Sequence, residues 1–312
     1  MPSSVSWRRP TERWIDGGCR SLAARSVDRR GGSRARCGRR SLHLVSRVER
    51  LREFADRLHP SSWLYSTYEH RLIAELDHDQ LPQHIAVLAD GNRRWARANA
   101  PGQPLAVGYR AGADKLKEFV SWCEEVQIPI VTLWVLSTEN FARDGDEIQP
   151  LLKVIEELVT DLAAARRWRV HPVGAMDLVP ADTVEVLRRA EGDTKDVAGM
   201  MINIAVSYGG RHELRDAFRS LLAEKAKQGM TISELAETLE IDHIADHLYT
   251  AGQPDPDLII RTSGEQRLSG FLMWQSAHSE FYFHEALWPD FRKVDFIRAL
   301  RSYNQRERRF GK

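Results

Sequence analysis

Short apolar runs alternate with helix-patterned stretches along most of this 312-residue chain. Ile85–Ala89, Ile128–Leu136, Arg169–Val173, Met200–Val206 and Leu258–Ile260 are bounded by turn or polar residues and read as strands. Between them stand helical stretches at Tyr109–Val126, Asp146–Ala165, Ala181–Ala190 (opened by Pro180) and His212–Lys227. In the second of these, Ile148, Leu151, Leu152, Ile155, Leu158 and Leu162 repeat at the spacing of one helix face. Thr231–Leu239 and Asp242–Leu248 read as shorter helices with Ser233 and Asp242 as caps. Val294–Arg309 reads as a closing helix, and a sixth strand is expected at either Phe271–Gln275 or Glu280–Phe283. Strands this apolar, separated by helices, predict an α/β protein: a central, mostly parallel six-stranded sheet flanked by helices.

The net charge of +1 conceals an asymmetry. Residues 1–40 carry eleven Arg, no Lys and three acids (Glu12, Asp16, Asp28), whereas the remainder is acidic overall. The first 42 residues show no helical or strand period and are expected to be a disordered basic segment. A basic arm for nucleic acid or an anionic membrane, and a transit peptide, are the functional readings. The reading favoured is upstream translation from a mis-chosen start, although no Met stands between Met1 and Met176. Residues 43–82 read as a helical lead-in and linker, and residues 83–312 as a single catalytic domain. Cys123 has no partner outside the basic segment, which argues for a reducing compartment and against metal–thiolate chemistry. No apolar run reaches the ~18 residues of a membrane span.

Polar motifs follow the strands: Asp90-Gly91-Asn92, Ser137–Asn140, Ser207–Arg211 and Arg261–Arg267. In a parallel sheet these all fall at the carboxyl edge, where ligands bind. Most of the charged groups are cationic: Arg93, Arg94, Arg211, Arg261 and Arg267, with Ser263 and Ser269 as hydroxyl donors. Carboxylates are few: Asp90, Glu139, Glu265 and Glu280. Freed backbone N–H groups after Gly91, guanidinium groups at a helix start and one carboxylate are the equipment for a phosphate with a divalent cation. No GxGxxG or GxxxxGK[ST] pattern occurs, so dinucleotide and nucleoside-triphosphate cradles are not supported. Apolar Leu88, Val135, Leu136, Leu152 and Ile155 beside the site would suit a hydrocarbon tail, although core packing accounts for most of them.

From about His84 to Gly311 the chain resembles the cis-prenyltransferases, the isoprenyl or undecaprenyl diphosphate synthases. The motifs that carry the resemblance stand in family order: His84–Trp95 (HIAVLADGNRRW), Leu136–Phe141 (LSTENF), Asn203–Arg211 (NIAVSYGGR), Asp257–Glu265 (DLIIRTSGE) and Trp288–Phe291 (WPDF). The resemblance implies an enzyme that adds isopentenyl diphosphate to an allylic diphosphate (geranyl or farnesyl) with cis geometry, using Mg²⁺. It implies that Asp90 holds the metal and that Asn92 positions the substrates for proton loss. Gly91, Asn92, Arg93, Arg94, Trp95 and Tyr109 would hold the allylic diphosphate, with Ser137, Glu139 and Arg143 at a segment closing over the tail. Arg211, Arg261, Arg267 and Ser269 would hold isopentenyl diphosphate, and Glu280 would be a second metal ligand. A homodimer is implied, with Arg309-Phe310-Gly311 reaching toward the partner's site. A cytoplasmic enzyme is expected, with at most peripheral contact at the inner face of the membrane and no nucleic-acid partner.

Departures bear on product length. Long-chain members usually have Gly where Arg93 stands, His where Tyr109 stands, and a basic residue near apolar Leu105. This pattern is similar to the short-chain actinobacterial members that make a Z,E-farnesyl product. Val135, expected at the floor of the tail tunnel, is intermediate between the Ala of long-chain and the Leu of short-chain enzymes. The rival expectations are a long-chain decaprenyl or undecaprenyl diphosphate synthase and a non-catalytic partner subunit. The presence of Asp90 and the Arg set weighs against the latter.

Overall fold

The structure, a computed structural model, describes residues 69, 71–142 and 145–306. The basic segment, most of the lead-in, Arg143 and the Arg309-Phe310-Gly311 motif lie outside the described residues. Six strands form one sheet: β1 His84–Leu88, β2 Ile130–Trp134, β3 Arg169–Val173, β4 Met201–Ala205, β5 Leu258–Arg261 and β6 Glu280–Phe283. Their order is β3-β4-β2-β1-β5-β6, and every neighbouring pair is parallel. The helices are α1 Asn92–Asn99, α2 Ala106–Glu125, α3 Gly145–Ala164, α4 Ala181–Thr194, α5 Gly210–Lys227, α6 Ile232–Thr238, α7 Ile241–Ala245 and α8 Lys293–Asn304.

Both faces of the sheet are covered, which explains why its strands are nearly continuous in apolar residues. Alternate side chains divide between two layers. Ile85 and Val87 of β1, with Val131, Leu133, Ile202 and Ile260, face a large core built with α2, α3 and α8. Ala86 and Leu88, with Ala205 and Ile259, face a smaller core containing Tyr208, Phe271 and Leu272. Of the two candidates for the sixth strand, Glu280–Phe283 forms it. Phe271 and Leu272 are fully buried beneath the sheet instead, so their apolar character reflects packing and not a strand. The caps also differ from expectation. Thr231, not Ser233, caps α6 in a reciprocal box with Glu234, and Glu240 precedes α7.

The connections place a crevice at β1 and β5. From β1 the chain runs first to β2 on one side, and only after β4 does it cross to β5 on the other. A switch point of this kind leaves a gap between neighbouring loops at the carboxyl edge. Asp90 follows β1 there and Arg261 ends β5.

At the opposite edge, a buried polar chain ties three strands together. His84 Nδ1 lies 2.8 Å from the Pro254 carbonyl, which can only accept, so Nδ1 carries the proton. His84 Nε2, 2.7 Å from Thr132 Oγ1, then accepts from that hydroxyl. Asn203 Nδ2 donates to Thr132 Oγ1 at 2.9 Å and pairs with the Gln253 amide. Burial favours the neutral ring, lowering the His84 pKa below 6.5 against the opposing pull of the Pro254 hydrogen bond and Asp257. The unfolded chain therefore binds this proton more readily. The stability that His84 contributes is full above pH 6.5 and is lost as pH falls through the folded value. Urea midpoints measured on either side of pH 6.5 should fall more steeply on acidification for the wild type than for His84→Gln.

Candidate active site

The Asp90 corner is built by backbone geometry. Gly91 caps α1 with φ +114°, a left-handed value, and a Cβ there would meet Leu287 at 2.9–3.0 Å. No side chain caps α1 and no acid stands in its first turn, so its leading N–H groups and positive end are available to an anion. Arg93 and Arg94 occupy that first turn.

A cavity of about 660 Å³ opens over this corner and the carboxyl ends of β2 and β5, within the usual range for small-molecule sites of roughly 300–1,000 Å³. Asp90, Gly91, Asn92, Arg93, Arg94 and Tyr109 line it on one side. Val135, Ser137, Arg261, Arg267 and Ser269 line it on the others. Eleven residues expected at the site are thus brought together. Five arginines face two carboxylates in the lining: Arg93, Arg94, Arg97, Arg261 and Arg267 against Asp90 and Glu265. That surplus favours a multiply charged anion, each charge-assisted hydrogen bond contributing roughly 1.5–3 kcal/mol.

Asp90 is the hub. Its Oδ2 accepts from Arg261 Nη2 at 3.1 Å and Ser263 Oγ at 3.0 Å, with Arg94 Nη2 at 3.6 Å. The Arg261 side chain is only 5% exposed. It also donates to Ser269 Oγ at 3.0 Å and to the Arg267 carbonyl. Three residues of the lining each have a buried polar atom without a protein partner: Arg261 Nε, Asn92 Oδ1 and Trp134 Nε1. Buried polar groups are ordinarily satisfied, so these three atoms are exceptions within the lining.

Three residues absent from the sequence expectation take part. Arg97 lines the cavity and stands one turn beyond Arg93 and Arg94, a spacing that sequence could have revealed. Glu147 at the start of α3 accepts from Tyr109 Oη at 2.7 Å and Arg93 Nη1 at 3.3 Å. Glu213 is buried under the site. It accepts from Tyr208 Oη, from Gln275 Nε2 at 3.0 Å and from the Tyr249 N–H at 3.0 Å. Burial pushes its carboxyl, and the Tyr208 hydroxyl, above their usual values. Together with the bond from Gly210 N–H to the Gly270 carbonyl at 3.0 Å, this network fixes the loop that carries Arg267 and Ser269.

Four expected residues do not line the cavity. The Trp95 indole donates to Asp290 at 2.8 Å instead. Glu139 and Arg211 are exposed, in the turn after β2 and in the first turn of α5. Glu280 stands apart from these. It opens β6 in register with Leu258, at the amino edge of the sheet, and pairs with Arg306, so within one chain it lies at the edge opposite Asp90. Among the described residues no group of three or more His, Cys, Asp or Glu could hold a metal. Asp90 alone nevertheless fits Mg²⁺. Its side chain is 40% exposed at the cavity, and Mg²⁺ is commonly held by one or two carboxylates with waters and substrate phosphates.

The inner end of the site is apolar and narrow. Tyr109, Trp134, Val135 and Leu151 border both the main cavity and a chamber of about 30 Å³ walled by Leu116, Val154, Ile155 and Leu158. Trp134 stacks on Phe271 with centroids 5.0 Å apart.

Comparison with known proteins agrees with this geometry. Residues 88–311 match the family described as "Putative undecaprenyl diphosphate synthase". The chain is 57% identical to the (2Z,6E)-farnesyl diphosphate synthase of Thermobifida fusca, over 80% of this chain and 97% of that protein. It is 55% identical to isoprenyl transferase 1 of Streptomyces avermitilis, over 78% and 94% respectively. The structure of lavandulyl diphosphate synthase from Lavandula x intermedia in complex with dimethylallyl diphosphate superposes with a TM-score of 0.70 at 32% identity. That match covers 75% of this chain and all of the other.

The Asn92 side chain lies over Gly112 of α2, where a Cβ would meet Asn92 Oδ1 at 2.5 Å and Cγ at 2.8 Å. Gly112→Ala should displace the amide while favouring the helix. Isoprenyl transfer should then fall on the order of a hundredfold, with the melting temperature held or raised; steady-state kinetics and calorimetry on the variant check both.

Proposed function

The chain belongs to the undecaprenyl diphosphate synthase family of prenyltransferases, and from that premise we propose that it condenses isopentenyl diphosphate with geranyl diphosphate and stops at a fifteen-carbon Z,E-farnesyl product. The narrow inner chamber carries this reading. Its 30 Å³ leaves room for about one or two waters, which favours a short tail over one of many isoprene units. The Thermobifida fusca relative is named for the same product.

In the proposed reaction the terminal alkene carbon of isopentenyl diphosphate bonds to C1 of the allylic chain. The C1–O bond breaks, diphosphate leaves, and the isopentenyl unit loses a proton from C2. Arg93, Arg94 and the N–H groups after Gly91 hold the allylic diphosphate. Arg261, Arg267 and Ser269, with Arg211 nearby, hold the isopentenyl diphosphate. Asp90 holds Mg²⁺, which when bound neutralises charge on the departing diphosphate. Preorganised donors stabilise that charge without a protein nucleophile. Asn92 Oδ1, buried and without a protein partner, orients the reacting ends.

A homodimer is the proposed assembly. Its support is β6, an edge strand whose Phe283 is exposed. No helix among the described residues is long and apolar enough to cross a membrane. Charged diphosphate substrates suit the proposed cytoplasmic site of action, and a greasy product suits peripheral membrane contact.

The full chain, given Mg²⁺, isopentenyl diphosphate and geranyl diphosphate, should yield one fifteen-carbon product with a Z double bond, sized by chromatography and mass. A ladder of long products would overturn the chain-length reading and leave the reaction class standing. Val135→Ala should lengthen the product if Val135 is the floor. Asp90→Ala should lower turnover by a hundredfold or more, on the order of losing a principal transition-state contact.

A further inference from the structure

Three consecutive residues at the end of β5 grip the same aspartate. Arg261 Nη2 donates to Asp90 Oδ2 at 3.1 Å. Thr262 Oγ1 donates to the Asp90 carbonyl at 2.8 Å and lies 3.2 Å from the Asp90 N–H, which donates to it. Ser263 Oγ donates to Asp90 Oδ2 at 3.0 Å. Thr262 therefore fixes the main chain of Asp90, while Ser263 and Arg261 fix its carboxylate.

Ser263 does this in an unfavourable backbone conformation. Its φ is +81°, and Gly264 beside it has φ +73°. The main chain is held there on both sides. The Ser263 N–H donates to the Ala286 carbonyl at 2.7 Å, and its own carbonyl accepts from Arg94 at 3.3 Å. Glycine would occupy this left-handed position without strain, whereas serine does not. The side chain is what serine adds, and its hydroxyl is spent on Asp90. Sparsely populated backbone states persist where the surroundings impose them, and they cluster at functional sites.

We propose that Ser263 is a positioning residue whose hydroxyl orients the Asp90 carboxylate for the metal–diphosphate ligand, at a standing cost in backbone strain. The inference rests on the proposed role of Asp90 in holding Mg²⁺. A neutral hydroxyl suits the task because it fixes the rotamer without cancelling the charge. Arg261 also fixes the rotamer, but it compensates that charge. With Ser263 in place, Asp90 stays aimed when a substrate phosphate shares the Arg261 guanidinium.

The test separates strain from orientation. Ser263→Gly removes the hydroxyl and the strain together; Ser263→Ala removes the hydroxyl and keeps the strain. Mg²⁺ binding would be titrated calorimetrically on the full chain with an unreactive thiolo analogue of geranyl diphosphate, and melting temperatures measured alongside. Ser263→Gly should melt at or above the wild-type temperature yet bind Mg²⁺ about tenfold more weakly, the size of one lost hydrogen bond to a charged group. Ser263→Ala should show the same weakening and melt below the glycine variant. Unchanged Mg²⁺ binding in Ser263→Gly would overturn the proposal, since a residue serving only the turn would be matched or bettered by glycine in every assay. Absence of Mg²⁺ binding in the wild type would instead overturn the metal role of Asp90. If Ser263→Ala does not fold, the glycine variant still decides.

Discussion

The ion pair between Asp90 and Arg261 is the contact on which the site depends. It joins the ends of β1 and β5 at the place where the chain reverses its direction across the sheet. A guanidinium so little exposed, bonded also to Ser269 and the Arg267 carbonyl, cannot swing freely. It holds the two loops at a fixed separation and keeps the crevice open at its anionic-ligand end. Burying a charge is costly unless it is paired and hydrogen-bonded. Asp90 supplies that pairing in the free enzyme. A bound diphosphate would offer Arg261 a second partner, leaving Asp90 to a cation.

Around that pair the fold divides labour between its two layers. The face bearing α2 and α3 supplies the apolar end, with Leu116, Val154, Ile155 and Leu158 closing around Val135. The opposite layer supplies rigidity through Glu213 and Tyr208, which anchor the loop of Arg267 and Ser269. The apolar end and the arginines of the head are linked through Glu147 of α3, which accepts from both Tyr109 and Arg93.

The sheet was legible because its strands are buried on both faces, and the carboxyl edge was legible because four polar motifs each follow a strand. The residues that escaped were those whose role depends on tertiary direction. Glu280 was grouped with Asp90, yet it opens a strand where the others follow one. A parallel sheet sends the two to opposite edges. Trp95 belongs to the right helix but bonds away from the cavity, to Asp290. Glu147 and Glu213 stand just outside the strand-end motifs, on the helices that follow them, and act through Tyr109, Arg93 and Tyr208, contacts that depend on how the helices pack. Trp134, in an apolar run, reads as core and is in fact both core and lining.

The brace on Gly91 has a consequence for how the protein is made. Leu287 packs against the glycine, and the Trp288 N–H donates to the Asp90 carbonyl at 3.0 Å. Both residues lie near the end of the chain, and Arg261 follows Asp90 by 171 positions. At ribosomal speeds of about 5–20 residues per second, Asp90 waits roughly 10–30 s for its partner to be synthesised. Until then β1 has β2 on one side and nothing on the other, and its catalytic corner has no shape. A nascent chain thus assembles this corner only after β5 and Leu287-Trp288 have been synthesised. Late truncations should yield proteins that have most of their strands and none of their chemistry.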